Sequence, residues 1–194
     1  MKDTTFYPTE GVKRRLMRMT IQESGTASIK ACSDNFSGLG SLSRTSDPEK
    51  VGVMSGGAGL FSTAKDYLAF LRGILASQSG TDHNALLSPS SFEELFKDAF
   101  RPETDDRHFL STLESHELHD PALFTRKGAS GEGRNIVQSV GMAVNLVDSA
   151  NGRKAGSGCW DGAARTMYWI DPKTGLAVSR TPPCDVAARA QNKE

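Results

Sequence analysis

A serine three residues before a lysine is the first candidate for covalent chemistry in this sequence. The pair is Ser62 and Lys65 in the string Ser-Thr-Ala-Lys, which leads into apolar residues at helical spacing. One helical turn would place the lysine amine beside the serine hydroxyl, where it could accept the hydroxyl proton. The spacing therefore indicates a nucleophile with its general base.

A plainer interpretation of Ser62 stands beside this one. Serine is a preferred helix N-cap whose hydroxyl accepts a backbone N–H, and Lys65 would then point into solvent. One class of serine acyl-transfer enzymes combines S-x-x-K with S-D-N and K-T-G, strings that occur here at Ser33–Asn35 and Lys173–Gly175. Because S-D-N precedes S-x-x-K and K-T-G falls in a predicted turn, order and context favour the N-cap interpretation.

Three helices are predicted among the elements that position these residues. A short basic helix is predicted over residues 9–19, whereas residues 24–48 show no periodicity that assigns an element. The clearest helix follows Ser62 and carries an apolar stripe over residues 67–75. The Ser88-Pro89 pair is typical of a helix start. The apolar side chains of that third helix are Phe92, Leu95 and Phe96.

The last third of the chain has the character of an antiparallel sheet. Residues 136–147, 166–170 and 176–178 are rich in β-type side chains, and Asp171–Gly175 has turn chemistry between the last two runs. With helices earlier in the chain to cover this meander, we predict an α+β fold, an antiparallel sheet with flanking helices. The polar stretch 103–134 is predicted to be an exposed insertion.

Composition excludes several classes of function. The 194 residues carry 23 basic and 23 acidic side chains, so there is no basic field for nucleic acid. No apolar run reaches membrane-spanning length, and nothing near residues 1–19 directs export, which predicts a cytoplasmic protein. Cys32, Cys159 and Cys184 lack the spacing of a disulfide framework or zinc site. We therefore expect no metal and no cofactor.

Two further motifs have plainer explanations. His116 and His119 share the spacing of a helical metal pair, but no third ligand or H-E-x-x-H string accompanies them, so a polar surface segment is the favoured account. The glycine string 128–133 lacks the strand before it and the helix after it that a phosphate loop requires. We interpret it as a loop.

Longer stretches carry a more specific resemblance. They are Met-Lys-Asp-Thr-Thr-Phe at 1–6, Ser-Gly-Gly-Ala-Gly-Leu-Phe-Ser-Thr-Ala-Lys-Asp-Tyr at 55–67 and Gly-Cys-Trp-Asp-Gly-Ala-Ala-Arg-Thr-Met-Tyr-Trp-Ile-Asp-Pro at 158–172. In this order they resemble segments of β-lactamase-like serine esterases and fungal transesterases. The resemblance implies the C-terminal half of a single domain, 1–194, with a partial β-lactamase/transpeptidase-like fold.

The same resemblance assigns the site residues. In that family the serine matching Ser62 is not the nucleophile, and the segment bearing the nucleophile precedes the one that matches Met1. Trp160 and Gly162 fall on the family's third motif, Trp or His followed by x-Gly, and the N–H of Ala163 would be an oxyanion donor. Asp161, where glycine is common, departs from the pattern, since a carboxylate beside an oxyanion site would oppose its charge unless it points away.

Function and partners follow as expectations. The resemblance implies an acyl-transfer protein, acting on a small acyl ester or thioester, that lacks its own nucleophile. A non-catalytic remnant or accessory subunit is one alternative, and an active hydrolase using Ser62 and Lys65 is the other.

The strand end at Arg180–Cys184 is followed by only a short polar tail. An open sheet edge, and a protein partner that covers it, are therefore expected. For Trp169 we favour core packing, whereas for Trp160 core packing and a place in the site remain open.

Overall fold

The computed structural model of the chain describes residues 1–17, 20–22, 29–31, 47–50, 57, 59–100, 135–149, 152–162, 166–180 and 188–189. Two compact units share these residues. The first comprises Met1–Tyr67, Ala163–Arg165 and Thr181–Glu194, and the second comprises Leu68–Gly162 and Thr166–Arg180. The Ser33–Asn35 string, the predicted insertion 103–134, the histidines at 116 and 119 and the glycine string 128–133 lie outside the described residues. So do Cys32 and Cys184.

The helices begin where their capping residues stand. Helix α1 is Glu10–Lys13, α2 is Ala64–Ala76 and α3 is Pro89–Leu95. Ser88 caps α3 as predicted, and its hydroxyl accepts the N–H of Ser91 at 3.1 Å. Helix α1 is much shorter than the predicted 9–19, because it buries no side chain and so has no packing to extend it beyond one turn.

The larger sheet is an antiparallel meander, which confirms the predicted α+β class. Its strands are β3 Ile136–Gln138, β4 Ala143–Asn145, β5 Gly158–Asp161, β6 Met167–Asp171 and β7 Leu176–Arg180. They lie in chain order with β3 and β7 at the two edges, and every described neighbour pair is antiparallel. The run predicted at 136–147 is therefore two strands joined by a turn rather than one strand.

One face of this sheet is the core. Alternation along the strands puts Val137, Val144 and Ile170 on the same face, where they pack together with Ile74 and Phe92 from the helices. Ile170 has no exposed surface. At Gly158 an added Cβ would lie 1.9 Å from Met142 Sδ, so the close approach of β5 to this cluster requires a residue without a side chain.

A second, small sheet was not predicted. Strands β1 Thr20–Gln22 and β2 Ile29–Ala31 are antiparallel, and β8 Ala188–Arg189 pairs with β1 in parallel. Strand β2 falls where we assigned no element, and β8 falls in the stretch predicted to be a polar tail. Strands of two or three residues are too short to show period-two alternation, and backbone pairing alone defines them.

The turn between β6 and β7 is built around a buried carboxylate. Asp171 Oδ1 accepts the N–H of Lys173 at 3.0 Å and of Thr174 at 3.2 Å, and Oδ2 accepts the N–H of Lys154 at 3.1 Å. Gly175 closes the turn with φ +71°, a conformation that favours glycine. The Lys173–Gly175 string therefore lies in a hairpin turn, as the sequence predicted.

Asp171 also makes the free energy of unfolding depend on pH. Desolvation raises the pKa of its carboxyl, but the hydrogen bonds lower it by more, so the folded-state pKa lies below the ordinary 3.8. The stabilisation of the folded protein by ionised Asp171 is fully present above pH 3.8 and is lost as the pH falls through the folded-state pKa. We expect Asp171→Asn to destabilise the protein in urea unfolding at about pH 6, and the difference from the unsubstituted protein to shrink at about pH 3. A difference independent of pH would contradict this role.

Candidate functional site

The start of α2 differs from the predicted one by one residue. Thr63 is the N-cap, since its Oγ1 accepts the N–H of Asp66 at 3.1 Å and the helix begins at Ala64. The N-cap interpretation of Ser62 is therefore wrong. Ser62 stands one residue too early because Phe61 pairs with Thr5 in an isolated antiparallel bridge, with both backbone hydrogen bonds at 2.9 Å.

Ser62 and Lys65 are not brought together as a nucleophile and a base. The Ser62 hydroxyl lies 2.9 Å from Thr4 Oγ1 and donates to the Thr63 carbonyl at 3.4 Å. Lys65 is exposed. Within the described part of the chain, no hydrogen bond joins the serine hydroxyl to the lysine amine, so the spacing that suggested a catalytic pair does not produce one.

Asp66 is the residue that organises this corner of the first unit. Its carboxylate Oδ2 accepts the N–H of Asp3 at 2.8 Å and the hydroxyl of Thr4 at 2.9 Å, and the side chain is buried. Desolvation raises the pKa of this carboxyl, but the hydrogen bonds lower it by more, so the pKa lies below its usual value. The carboxylate stays ionised at neutral pH and fastens the first residues to the start of α2.

The described part of the wall assigned by resemblance is the end of β5. Trp160 pairs with Tyr168, is half-buried, and packs against Ile136 and Ala143. Gly162 donates its N–H to the Thr166 carbonyl at 2.9 Å. Both contacts join the end of β5 to the start of β6. Ala163, the expected oxyanion donor, lies outside the described residues.

Asp161 shares a sheet face with Cys159. The two residues are separated by one position in β5, so their side chains leave the strand on the same side, that of Ala143, which pairs with Cys159. Burial raises the pKa of the Cys159 thiol, and the negative charge of Asp161 adds to that effect. The departure from glycine at this position therefore puts a carboxylate on the strand face that also carries the thiol.

Arg153 is a residue of this neighbourhood that the sequence did not reveal. Its side chain is 5 % exposed, its guanidinium carbon lies 6.0 Å from the centroid of the Trp169 ring, and its positive charge lowers the pKa of the Cys159 thiol, an effect smaller than that of burial. Trp169 is thus half-buried, with a cation over its ring. No motif marks Arg153, which lies in the loop between β4 and β5, and only the fold brings it to the strand.

The described residues also bear on two other kinds of function, metal binding and membrane insertion. Across the described ranges from 1 to 189, no group of three His, Cys, Asp or Glu side chains is placed to hold a metal ion. None of the described helices combines the length and apolar character that a membrane crossing requires.

Comparison with known proteins gives one family and one group of structures. The chain matches the beta-lactamase family over residues 1–181. No curated protein sequence matches it. The similar solved structures include forms of simvastatin synthase (LovD) from Aspergillus terreus. A LovD6 mutant aligns at 22 % identity with a TM-score of 0.68, covering 91 % of this chain and 39 % of that one.

Two unliganded LovD structures are similar to this chain to a comparable degree. One has 22 % identity and a TM-score of 0.63, covering 91 % of this chain and 38 % of LovD. The selenomethionyl form has 19 % identity and a TM-score of 0.70, covering 97 % of this chain and 42 % of LovD. At these identities the likeness shows the fold. The chain spans about two fifths of the length of these structures.

Removal of the Asp66 carboxylate tests its organising role. In Asp66→Ala, we expect the amide of Asp3 to exchange with solvent about tenfold faster, because it loses its acceptor. Amide hydrogen exchange followed by NMR measures this. Asp82→Ala is a matched control, since Asp82 also accepts a backbone N–H, from Asn84, in the second unit. Unchanged exchange at Asp3 in Asp66→Ala would refute the assignment.

Proposed function

The chain belongs to the beta-lactamase family, and from this premise we propose that it supplies one wall of an acyl-transfer site of the serine esterase or transesterase type. The observation that carries the proposal is the arrangement of Trp160 and Gly162 at the end of β5. Trp160 is half-buried there, and Gly162 is held by the Thr166 carbonyl, in the sequence Trp-Asp-Gly that resembles the third motif of esterases rather than Lys-Thr-Gly.

The physical role of such a wall is to hold an acyl group and stabilise its oxyanion. The indole of Trp160 offers a flat apolar surface for an acyl chain. A backbone N–H at the following turn can approach the developing charge closely, and a donor of this kind is typically worth about 3 kcal/mol in the transition state. The substrate class is therefore a small acyl ester or thioester. This chemistry calls for no cofactor.

The nucleophile of the covalent step is proposed to lie outside these 194 residues. Supporting this, the Ser62 hydroxyl is engaged by Thr4 and by the Thr63 carbonyl, away from Lys65. The chain also spans only 38–42 % of the LovD structures it resembles. The resemblance to enzymes from Aspergillus supports, by analogy alone, a place in fungal secondary metabolism.

We propose that a polypeptide supplying the nucleophile docks on strand β7. Within the described residues β7 is an edge of the larger sheet, and Leu176 and Val178 on it are 55 % and 38 % exposed. Unpaired backbone groups beside exposed apolar side chains are typical of a strand that accepts another strand. A non-catalytic remnant or accessory subunit remains the second candidate function, and it is favoured by the same exposed apolar side chains on β7.

Ligand binding separates the two candidates. N-phenylbutanamide, a stable analogue of an aryl ester, is titrated into the protein and followed by NMR. We expect chemical-shift changes at Trp160 and Gly162, and we expect Trp160→Leu to raise the dissociation constant about tenfold because the apolar wall is lost.

The matched control is Phe70→Leu, which truncates an exposed aromatic side chain on α2 and should leave the dissociation constant unchanged. Absence of any binding at the β5 end would overturn the acyl-site proposal and favour the non-catalytic remnant.

A further inference from the structure

Tyr168 lies directly opposite Trp160 on the neighbouring strand. The two residues are register partners across β5 and β6, and both are half-buried. Directly opposed residues leave their strands on the same side, with Cβ atoms about 5 Å apart. A group that packs on the exposed part of the Trp160 indole is therefore within reach of the Tyr168 side chain.

A hydrogen bond determines where the Tyr168 ring lies. The phenol hydroxyl donates to the Gly141 carbonyl at 3.2 Å. Gly141 precedes β4, and β5 lies between β4 and β6 in the sheet. A side chain of β6 that reaches the turn before β4 therefore crosses the end of β5. That end carries Trp160 and is followed by Gly162, so the ring lies alongside the wall.

The turn that accepts this hydrogen bond is itself held in place. Ser139, which is 2 % exposed, donates its hydroxyl to the Met142 carbonyl at 3.0 Å and accepts the N–H groups of Gly141 at 3.2 Å and of Met142 at 3.1 Å. An added Cβ at Gly141 would lie 3.1 Å from Leu95 Cδ1, so the turn also lies close against α3. The carbonyl is therefore a preorganised anchor for the phenol.

We propose that Tyr168 is a second aromatic residue of the acyl-binding wall: its ring contacts the acyl group beside the Trp160 indole, and its hydrogen bond to the Gly141 carbonyl holds the ring in place. This inference rests on the proposed function, since the acyl group is the one that Trp160 binds. Two aromatic side chains with few rotatable bonds offer a large apolar surface at a low cost in conformational entropy. The pair therefore favours an apolar acyl chain long enough to lie across both rings.

Two substitutions and two ligands separate the ring from its hydroxyl. We expect Tyr168→Leu, which removes the ring, to raise the dissociation constant of N-phenylbutanamide about fivefold. Tyr168→Phe keeps the ring and loses only the hydrogen bond, so it should raise that constant about twofold. N-phenylacetamide, whose acetyl group is too short to lie across both rings, should bind both variants as it binds the unsubstituted protein. An equal loss for both ligands, or a loss in Tyr168→Phe as large as in Tyr168→Leu, would overturn the ring contact.

The contact is also measurable in the unsubstituted protein. Tyrosine labelled in its ring is incorporated, and isotope-filtered NOEs from N-phenylbutanamide to the tyrosine rings are recorded by NMR. The chain has three tyrosines, and the resonances that disappear in Tyr168→Phe identify Tyr168. We expect NOEs from the butanoyl methyl group to the Tyr168 ring. If Tyr168→Leu fails to fold by circular dichroism, this measurement decides alone, and absence of those NOEs in the saturated complex would reject the proposal.

Failure of this inference is distinguishable from failure of the proposed function. If N-phenylbutanamide shifts Trp160 and Gly162 and Trp160→Leu weakens its binding, but Tyr168→Leu binds normally and the Tyr168 ring shows no NOE to the ligand, the acyl site stands and the role of Tyr168 is rejected. If the ligand shifts neither Trp160 nor Gly162, the proposed function fails and the role of Tyr168 fails with it.

Discussion

Burial of one face of the β3–β7 sheet beneath α2 and α3 is the constraint on which the second unit depends. Side chains alternate along a strand, so placing Val144 and Ile170 against Ile74 and Phe92 fixes which residues leave by the opposite face. Complete burial of an isoleucine contributes about 2 kcal/mol, and shifting the register of one strand by one residue would turn that strand's core side chains to the opposite face. The core therefore determines the position of the chemistry-bearing residues.

The opposite face carries a second apolar cluster beside the chemistry-bearing side chains. Ile136 and Ala143 are buried on it with Cys159. Trp169 also leaves by this face, where Arg153 from the β4–β5 loop lies 6.0 Å from its ring. A buried cation is tolerated there because the face of the Trp169 indole replaces part of its hydration.

Sequence signals predicted the features that depend on adjacent residues, namely helix caps and turns. Ser88 with Pro89 marked the start of α3, and the Asp171–Gly175 turn was identified from its composition, because capping and turn formation depend on adjacent residues. The start of α2 was missed by one residue, since pairing of Phe61 with Thr5 decides between Ser62 and Thr63. Arg153 could not have been found, because its partners are brought together by strand pairing rather than by spacing in the sequence.

The central claim is that this chain forms a wall of an acyl-transfer site without carrying the nucleophile. The most direct test is to incubate the purified protein with an excess of a fluorophosphonate and to weigh the intact chain by mass spectrometry. The account predicts no stoichiometric adduct, because the Ser62 hydroxyl is engaged by Thr4 rather than by a base. One adduct per chain, located on Ser62 and abolished by Ser62→Ala, would contradict it and identify a complete serine enzyme.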